Sequence, residues 1–406
     1  MACSRFLKFK PIDRPSWREI KDKNDTIPTV SEMMTQILEY ERTWRGNKNE
    51  NSKQCFAVKQ EMYSEFLYQI QNGEEIGVAD RDTFEKIICN VVDEANRKRD
   101  TKHETDPDIV LKKRRLSDDH FKSNNADSQN FEDGTKSSQD SLPSSQDAED
   151  LFNEGNTDTI PAKTTETINL LRGYRHLKKQ LRHKDIQKEE RSSYLGILDV
   201  EVCIKQCHEI LMKNVMDNNR TVPGKFSVLK RSTEFKGETY HYPYYKTESV
   251  AHKAVQAIVD QYMDMLHDIS NDNSERNKLE NSFKCASVLL FGFLTLHPFS
   301  DGNGRLARLL CSHCLNVFSP FPTAIYNVFS PSTRDDYLTA IVNARKNLEL
   351  SSDKSLHDAI KEAMLILEQK PADLCSLIIE SNWFTWRHFL RKIGEDIPML
   401  DLEKAD

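Results

Sequence analysis

The sequence predicts an all-α protein with at most one small β-hairpin. Apolar residues recur at helical spacing over residues 31–44, and they do so again along most of the chain after about residue 149. Strand signals are scarce. The exception is Glu238–Tyr245, which is aromatic and β-branched and follows Gly237, so it predicts a short hairpin.

Composition favours a folded protein with a well-solvated surface. The 406 residues are 37% hydrophobic and 30% charged, and about 150 residues per domain would divide them into two or three domains. The formal charge of -7 argues against broad binding to a phosphate backbone, so no nucleic-acid partner is expected.

Three features predict a cytoplasmic or nuclear protein that does not bind a membrane. The longest apolar run, residues 286–296, is about half of the roughly 20 residues that a membrane helix needs, and it predicts a buried helix. The first residues lack the apolar core of a secretory signal. Nine cysteines without framework spacing favour a reducing compartment.

Residues 1–110 are predicted to form a helical accessory region. Met33, Met34, Ile37 and Leu38 share one face of a helix over Ser31–Trp44. Further helices are predicted at Val58–Ile70 and Phe84–Val92. The region shows no catalytic constellation, which favours a docking or accessory role.

Residues 111–148 are predicted to be a disordered, acidic, Ser-rich linker. Their few apolar residues, such as Phe121 and Phe131, cannot offset the entropy of ordering the chain. The run Lys112–Arg115 is either a nuclear-import signal or a solvated charge cluster at a domain edge.

Residues 149–370 are predicted to be the catalytic domain, and residues 371–406 a helical C-terminal extension. Helices are predicted at Thr164–Arg182, Asp199–Met216, Glu248–Ile269, Asn277–Leu296, Arg305–Phe318, Thr333–Asn347, Leu356–Gln369 and Ala372–Ile393. The last has an aromatic face that includes Trp383 and Trp386, for which core packing is favoured over a partner groove.

One segment, His297–Arg308, concentrates chemical groups. Pro298 ends the preceding helix, and the glycines at 302 and 304 permit a tight loop whose backbone amides converge on an anion. A new helix begins near residue 304, and Arg305 and Arg308 share one of its faces. An imidazole, a carboxylate, an amide nest and two guanidinium groups are what a nucleoside triphosphate with its divalent ion requires.

Zinc sites are the main alternative for the polar residues. His297 and Asp301 lie four residues apart, but a proline and a glycine-rich loop break the helical register that this spacing requires. Cys311 and Cys314, beside His313, also have ligand spacing, although thiols in helices are commonly buried apolar groups.

The segment His297–Arg308 resembles the signature of the Fic family, HPFx[D/E]GNGRxxR, at every fixed position. The resemblance extends over roughly residues 149–369. It implies a Fic-type helical core with a small β-hairpin flap, beside the N-terminal accessory region. It also implies transfer of AMP from ATP, with Mg²⁺, to a Ser, Thr or Tyr hydroxyl of a protein substrate.

The same resemblance assigns roles within the motif. His297 becomes the general base, Asp301 the Mg²⁺ ligand and Phe299 the anchor of the loop in the core. The resemblance also implies that residues at the start of the next helix bind the phosphates. Gly302, Asn303 and Gly304 would contact the α-phosphate, and Arg305 and Arg308 the β- and γ-phosphates.

Other positions resemble the family less tightly. The target-positioning flap would comprise Thr239, Tyr240, His241 and Tyr242, for which an ordinary packed hairpin is the alternative. The adenine pocket would include Tyr337 and Asn343. Residues 223–226 resemble the start of the family's PGxxR turn, but Ser227 stands where its arginine is expected.

Glu154-Gly155 resembles the inhibitory motif [S/T]xxxE[G/N] of autoinhibited members, although Asp150 occupies its first position. This resemblance implies that the Glu154 carboxylate pairs with Arg308 and excludes the γ-phosphate. The alternative is an acidic turn that caps the following helix.

Three questions of function stay open at the level of sequence. Another nucleotide could replace ATP, the enzyme could also remove AMP with Glu154 positioning a water, or the fold could serve as a non-catalytic adaptor. The identity of the protein substrate is not readable from the sequence, which also leaves a homodimer open.

Overall fold

The computed structural model describes most of the chain outside one long segment. The described residues are 4–18, 27–46, 52–91, 161–185, 196–215, 222–316, 318–326, 328–329, 333–348 and 358–400. The predicted linker at 111–148 lies outside them.

Helices dominate these residues, with one two-stranded antiparallel sheet. The helices are α1 (Val30–Gly46), α2 (Lys53–Gly73), α3 (Ala162–Asp185), α4 (Cys207–Met212), α5 (Glu248–Ser270), α6 (Glu275–Leu296), α7 (Asn303–Leu315), α8 (Thr333–Arg345), α9 (Asp358–Leu367) and α10 (Ala372–Lys392). A π-helical turn, Val200–Gln206, leads directly into α4. The strands are β1 (Ser232–Phe235) and β2 (Glu238–His241).

Helix α6 is the centre of the core. It packs against α5, α7, α9 and α10, and almost every residue of its second half is buried. Among the described residues, α6 is the one helix long and apolar enough to cross a membrane, but 83% of its apolar window is buried inside the structure. A buried core helix meets the same length and composition criteria, so the finding is weak evidence for a membrane span.

The chain divides into two compact units, residues 1–84 with 161–406, and residues 85–160. The described part of the second unit, residues 85–91, is helical. Residues 1–84 of the predicted helical accessory region therefore share one compact unit with residues 161–406. Helix α1 packs on α10 and α6, because both chain ends bury apolar faces against the same core.

Buried polar contacts reinforce this joining of the two chain ends. Arg18 and Glu380 form an ion pair in which both side chains are at most 3% exposed, and the Trp17 indole N–H donates to the same carboxylate at 2.9 Å. On the next turn of α10, Trp383 is fully buried and its indole N–H donates to Gln36 of α1 at 2.7 Å. The predicted C-terminal extension at 371–406 is thus part of the core up to the end of α10.

The β-hairpin begins earlier than the sequence predicted. Its register pairs Ser232 with His241 and Phe235 with Glu238. Lys236 and Gly237 form the turn with positive φ angles of 52° and 81°, as a type I′ turn requires. The segment Glu238–Tyr245 therefore supplies only the second strand, and Pro243 lies just past its end, since proline cannot continue a ladder.

The contact between α1 and α10 gives a stability prediction. Phe389 of α10 is fully buried and meets the Trp44 ring edge-on, with ring centroids 5.2 Å apart. Phe389→Ala should lower the free energy of unfolding by about 3–5 kcal/mol through lost burial and a residual cavity. Chemical denaturation monitored by circular dichroism measures the change.

Phe56→Ala is the matched control, because Phe56 is 64% exposed and its truncation should cost less than about 0.5 kcal/mol. Equal losses for the two variants would contradict the packing of α10 described here.

Candidate active site

The segment between α6 and α7 forms a tight, internally bonded loop. His297 ends α6 in the left-handed conformation, with φ 50° and ψ 58°, and Gly302 precedes α7 with φ 73°. The Asn303 amide closes the loop by accepting from the Phe299 N–H at 3.0 Å and donating to the Phe299 carbonyl at 2.8 Å. The Asn303 side chain thus links both ends of the Phe299 backbone to the start of α7.

The hydrogen bonding of His297 suits a proton acceptor. Its Nδ1 lies 3.3 Å from the carbonyl of Leu294, one turn earlier on α6. A carbonyl can only accept, so this contact assigns the proton to Nδ1 and leaves the Nε2 lone pair available. The left-handed backbone of a non-glycine residue is strained, as is common where a side chain must be aimed.

Tyr242, just past the end of β2, covers the imidazole. The two rings stack with centroids 3.9 Å apart and an interplanar angle of 11°. Burial lowers the pKa of His297 to about 3, and the positive charges of Arg231 and Arg345 act in the same direction. The imidazole is therefore neutral at pH 7, the state in which Nε2 can take a proton.

Two arginines that the sequence did not single out attach the hairpin to its surroundings: Arg231 joins it to the loop at residues 297–302 (the motif loop), and Arg345 joins it to α8. Arg231 donates to the Phe299 carbonyl and to the Pro243 carbonyl, both at 2.9 Å. Arg345 of α8 donates to the His241 carbonyl at 2.8 Å, and its guanidinium lies 5.5 Å from the Tyr242 ring centroid. No local pattern marked either residue, because each contact joins segments far apart in the sequence.

Ser227, at the position of the expected arginine, contacts the loop through its backbone. Its N–H donates to the Pro298 carbonyl at 2.8 Å. The guanidinium that reaches the motif loop from this side belongs instead to Arg231, four residues later. The departure from the PGxxR pattern is thus accompanied by a different cationic contact to the loop.

Asp301 and Arg305 form an ion pair in which only the carboxylate faces solvent. The Asp301 carboxylate accepts from the Gly302 N–H at 2.6 Å and pairs with Arg305 at 3.2 Å, yet its side chain is 53% exposed. The Arg305 side chain is only 4% exposed, and its Nη1 has no hydrogen-bond partner in the described part of the structure. A buried guanidinium with an unused donor is suited to bind an anionic ligand.

Arg308 is buried against a carboxylate from another helix. Its side chain is 5% exposed, and its Nη1 pairs with Glu74, which directly follows α2. The guanidinium also stacks on Tyr337, 4.4 Å from the ring centroid. The sequence predicted that Glu154 would supply this carboxylate. Glu154 lies outside the described residues, and in the described structure Glu74 makes the contact.

The Glu74 carboxylate also packs against the first turn of α7. A Cβ placed on Gly304 would collide with both carboxylate oxygens of Glu74. The carboxylate therefore lies where the partial positive charge of the helix N-terminus attracts an anion. It occupies the position for which the amide nest and Arg308 were predicted to hold phosphate.

A buried network fixes the turn that carries Glu74. Gln71 is fully buried, accepts from the Thr167 hydroxyl at 2.6 Å and donates to the Val78 carbonyl. The Gly77 N–H donates to Glu166 of α3 at 2.9 Å. The turn after α2 is thus attached to α3 on both sides of Glu74.

The remaining predicted residues lie on strand β2 of the hairpin and on helix α8. Thr239, Tyr240 and His241 belong to β2. Tyr337 is 3% exposed, and its hydroxyl has no hydrogen-bond partner within the described structure. Asn343 donates to Asp373 of α10 at 3.0 Å, so its amide nitrogen is engaged with protein.

The described residues contain no group of three or more His, Cys, Asp and Glu side chains that could hold a metal ion by themselves. Cys311 and Cys314 are buried thiols, and burial raises the pKa of both. They pack in α7 as apolar groups.

The stacked Tyr242 gives a prediction about protonation. Tyr242→Ala opens the imidazole to water, which favours the charged form, so the pKa of His297 should rise from about 3 toward the ordinary value near 6.5. Titration of the His297 ring protons by NMR measures this shift. Tyr244→Ala is the control, because the Tyr244 ring faces Lys230 at 5.6 Å. An unchanged His297 pKa in Tyr242→Ala would contradict the covering role of Tyr242.

Comparison with known proteins identifies the region around this site. Residues 198–315 match the model of the Fic/DOC family. The chain is similar to the ribonucleoside-diphosphate reductase small chain of Ostreid herpesvirus 1, at 30% identity over 157 residues, and to protein adenylyltransferase fic-1 of Caenorhabditis briggsae, at 25% over 147 residues. These matches cover 38% and 36% of this chain and only 24% and 26% of the relatives.

The fold is also similar to that of a Fic domain-containing signalling protein from Bacteroides thetaiotaomicron. The TM-score is 0.50 at 14% identity, and the match covers 91% of this chain and 99% of the other. The prediction of an all-α protein with a Fic-type core and a small hairpin is confirmed. The chain therefore carries a Fic domain, at residues 198–315.

Proposed function

We propose that this protein transfers AMP from Mg-ATP to a Ser, Thr or Tyr hydroxyl of a protein substrate, and that Glu74 holds it in an autoinhibited state. One observation carries the proposal. A single loop and the start of α7 bring together a neutral imidazole with a free Nε2, an exposed carboxylate and two buried guanidinium groups. The relative from C. briggsae, named as a protein adenylyltransferase, favours AMP as the transferred group.

The phosphate subsites follow from the charges around α7. The Glu74 carboxylate rests between Arg308 and Gly304, so it stands in for an anionic oxygen of the ligand. The unused Nη1 of Arg305 provides a second donor nearby. We assign the α-phosphate to the amides of residues 302–304, and the β- and γ-phosphates to the two arginines.

Asp301 fits the role of Mg²⁺ ligand. Its carboxylate is the exposed acidic group of the motif loop, and a carboxylate together with phosphate oxygens is the ligand set that Mg²⁺ prefers. Bound there, the ion would withdraw charge from the triphosphate and so favour departure of pyrophosphate.

The transfer step uses His297 as general base. The substrate hydroxyl oxygen attacks the α-phosphorus while its proton passes to Nε2 of His297. The bond from the α-phosphorus to the bridging oxygen breaks, and its electron pair leaves with pyrophosphate. The products are an AMP ester of the substrate side chain and pyrophosphate.

The hairpin is proposed to orient the substrate. Thr239, Tyr240 and His241 lie on the largely exposed strand β2 of a two-stranded sheet, and an extended peptide can add to the edge of a sheet as a further strand. Tyr242 covers one face of the His297 ring, so the hydroxyl would approach Nε2 in the plane of the imidazole. We place the adenine near Tyr337, which lines the far side of Arg308.

The autoinhibitory contact is proposed to be that of Glu74. A carboxylate paired with Arg308 and a γ-phosphate on the same guanidinium cannot coexist, since both require the same donors. We therefore transfer to Glu74 the role that the sequence motif suggested for Glu154. The buried Gln71–Thr167 contact keeps the carboxylate at this position in the absence of nucleotide.

Labelling with [α-³²P]ATP and Mg²⁺ tests catalysis and inhibition together. Glu74→Gly should raise incorporation into the protein itself or into lysate proteins by about 10-fold or more, because it vacates a charged subsite. His297→Ala in the Glu74→Gly background should abolish incorporation, since no base remains.

Glu75→Gly is the matched control. Glu75 is the next residue and pairs with Arg334 on the exposed surface, so its loss should leave labelling near the wild-type level. Glu154→Gly should also leave it unchanged. Activation by Glu154→Gly alone would contradict the assignment to Glu74, and no His297-dependent transfer in Glu74→Gly would favour a non-catalytic adaptor.

The nucleotide donor is tested by the same assay. In the Glu74→Gly protein, α-labelled ATP should give at least about 10-fold more incorporation than GTP, UTP or CTP, a ratio worth roughly 1.4 kcal/mol. Preferential transfer from one of the other three nucleotides would retain the chemistry proposed here and replace AMP as the transferred group.

A further inference from the structure

A fully buried histidine, His208 of α4, lies between the turn at Gly224 and the motif loop. None of the roles proposed above uses it. Its side chain contacts the loop at the backbone carbonyl of Asp301.

The two ring nitrogens of His208 are both engaged with backbone groups. The Gly224 N–H donates to Nδ1 at 2.9 Å, so the proton must lie on Nε2. Nε2 in turn lies 3.0 Å from the carbonyl of Asp301 and donates to it. Burial lowers the pKa of His208 to about 4, which keeps the imidazole neutral, as this pair of hydrogen bonds requires.

The ring of His208 also packs on the loop. It stacks on the fully buried Phe299 with centroids 3.6 Å apart and rings 5° from parallel. A Cβ placed on Gly302 would lie 3.3 Å from Nε2 of His208, so the left-handed turn at Gly302 passes directly over the imidazole. His208 thus contacts three loop residues, at 299, 301 and 302.

We propose that His208 is a positioning residue that orients Asp301, and with it the first amides of α7, toward the Mg-nucleotide. The Asp301 carbonyl accepts from His208, while the Asp301 carboxylate accepts from the Gly302 N–H. The Asp301 carbonyl and the Gly302 N–H belong to one planar peptide unit, so the hydrogen bond from His208 also fixes the N–H that holds the Asp301 carboxylate. The inference rests on the proposed nucleotide site and adds a residue outside the motif to it.

The first arm of the test needs no ligand. In the full-length protein, hydrogen exchange measured by mass spectrometry on peptides spanning residues 299–304 should be at least about 10-fold faster in His208→Phe than in wild type. Phenylalanine keeps the stacking ring and removes both hydrogen bonds.

His176→Phe is the matched control. His176 is a half-buried histidine of α3 whose Nε2 lies 2.8 Å from the Val202 carbonyl, and burial lowers the pKa of this residue too. It makes a similar contact away from the motif loop, so its replacement should leave exchange at residues 299–304 unchanged.

The second arm measures the Mg²⁺ dependence of binding of a fluorescent ATP analogue in the Glu74→Gly background. His208→Phe should raise the Mg²⁺ concentration at half-saturation by about 10–100-fold, the usual effect of losing a group that orients a metal ligand. His208→Gln can still donate near the Nε2 position, whereas His208→Asn can replace only the Nδ1 acceptor. Gln should therefore recover Mg²⁺ affinity better than Asn.

Equal Mg²⁺ dependence for wild type and His208→Phe, or equal effects of Gln and Asn, would overturn the inference. If His208→Phe fails to fold, as judged by circular dichroism, the Gln and Asn pair decides it. Failure of the proposed function has a different signature, since the Glu74→Gly protein would then bind no nucleotide at any Mg²⁺ concentration while the exchange arm still reports on the loop.

Discussion

The buried guanidinium of Arg308 constrains the rest of the site, because a buried charge must be paired with an anion. Its side chain is 5% exposed, and the aromatic face of Tyr337 covers part of it without supplying a charge. The sequence places this arginine one turn into α7, behind the amides of a helix N-terminus. The pocket therefore attracts an anion from two directions, and in the described structure that anion is the carboxylate of Glu74.

Two arginine side chains also attach the hairpin to the site, and their charges affect the protonation of His297. Arg231 and Arg345 bind backbone carbonyls of the motif loop and the hairpin, and neither pairs with a carboxylate within the described part of the structure. Their charges add to the effect of burial and lower the pKa of the imidazole. The same contacts that place Tyr242 over His297 thus also keep this residue neutral, so the position of the hairpin and the protonation of the base are coupled.

Sequence alone gave the local chemistry of the site but not its long-range contacts. The spacing from His297 to Arg308 was sufficient to predict a loop, an amide nest and paired arginines, because each depends on neighbours within a few residues. The contact of Glu74 with Arg308 spans 234 residues and has no periodicity to mark it. Glu154 was predicted from a motif and lies outside the described residues, within which Glu74 is the carboxylate that meets Arg308. The sequence also predicted the hairpin too late in the chain. Its turn begins at Lys236, whose positive φ is unusual for lysine and is not predicted by its side chain.

Under the proposed function, the attachment of the Glu74 turn determines how nucleotide would enter. If the ion pair with Arg308 alone held Glu74, a triphosphate with several charges would displace a single carboxylate readily. The turn is also fixed through Gln71 and Thr167, both buried in the interface of α2 with α3. The side chain of Glu74 is itself 26% exposed. The least costly opening is therefore rotation of the Glu74 side chain toward solvent while the turn stays in place, because moving the turn would break buried hydrogen bonds that have no replacement.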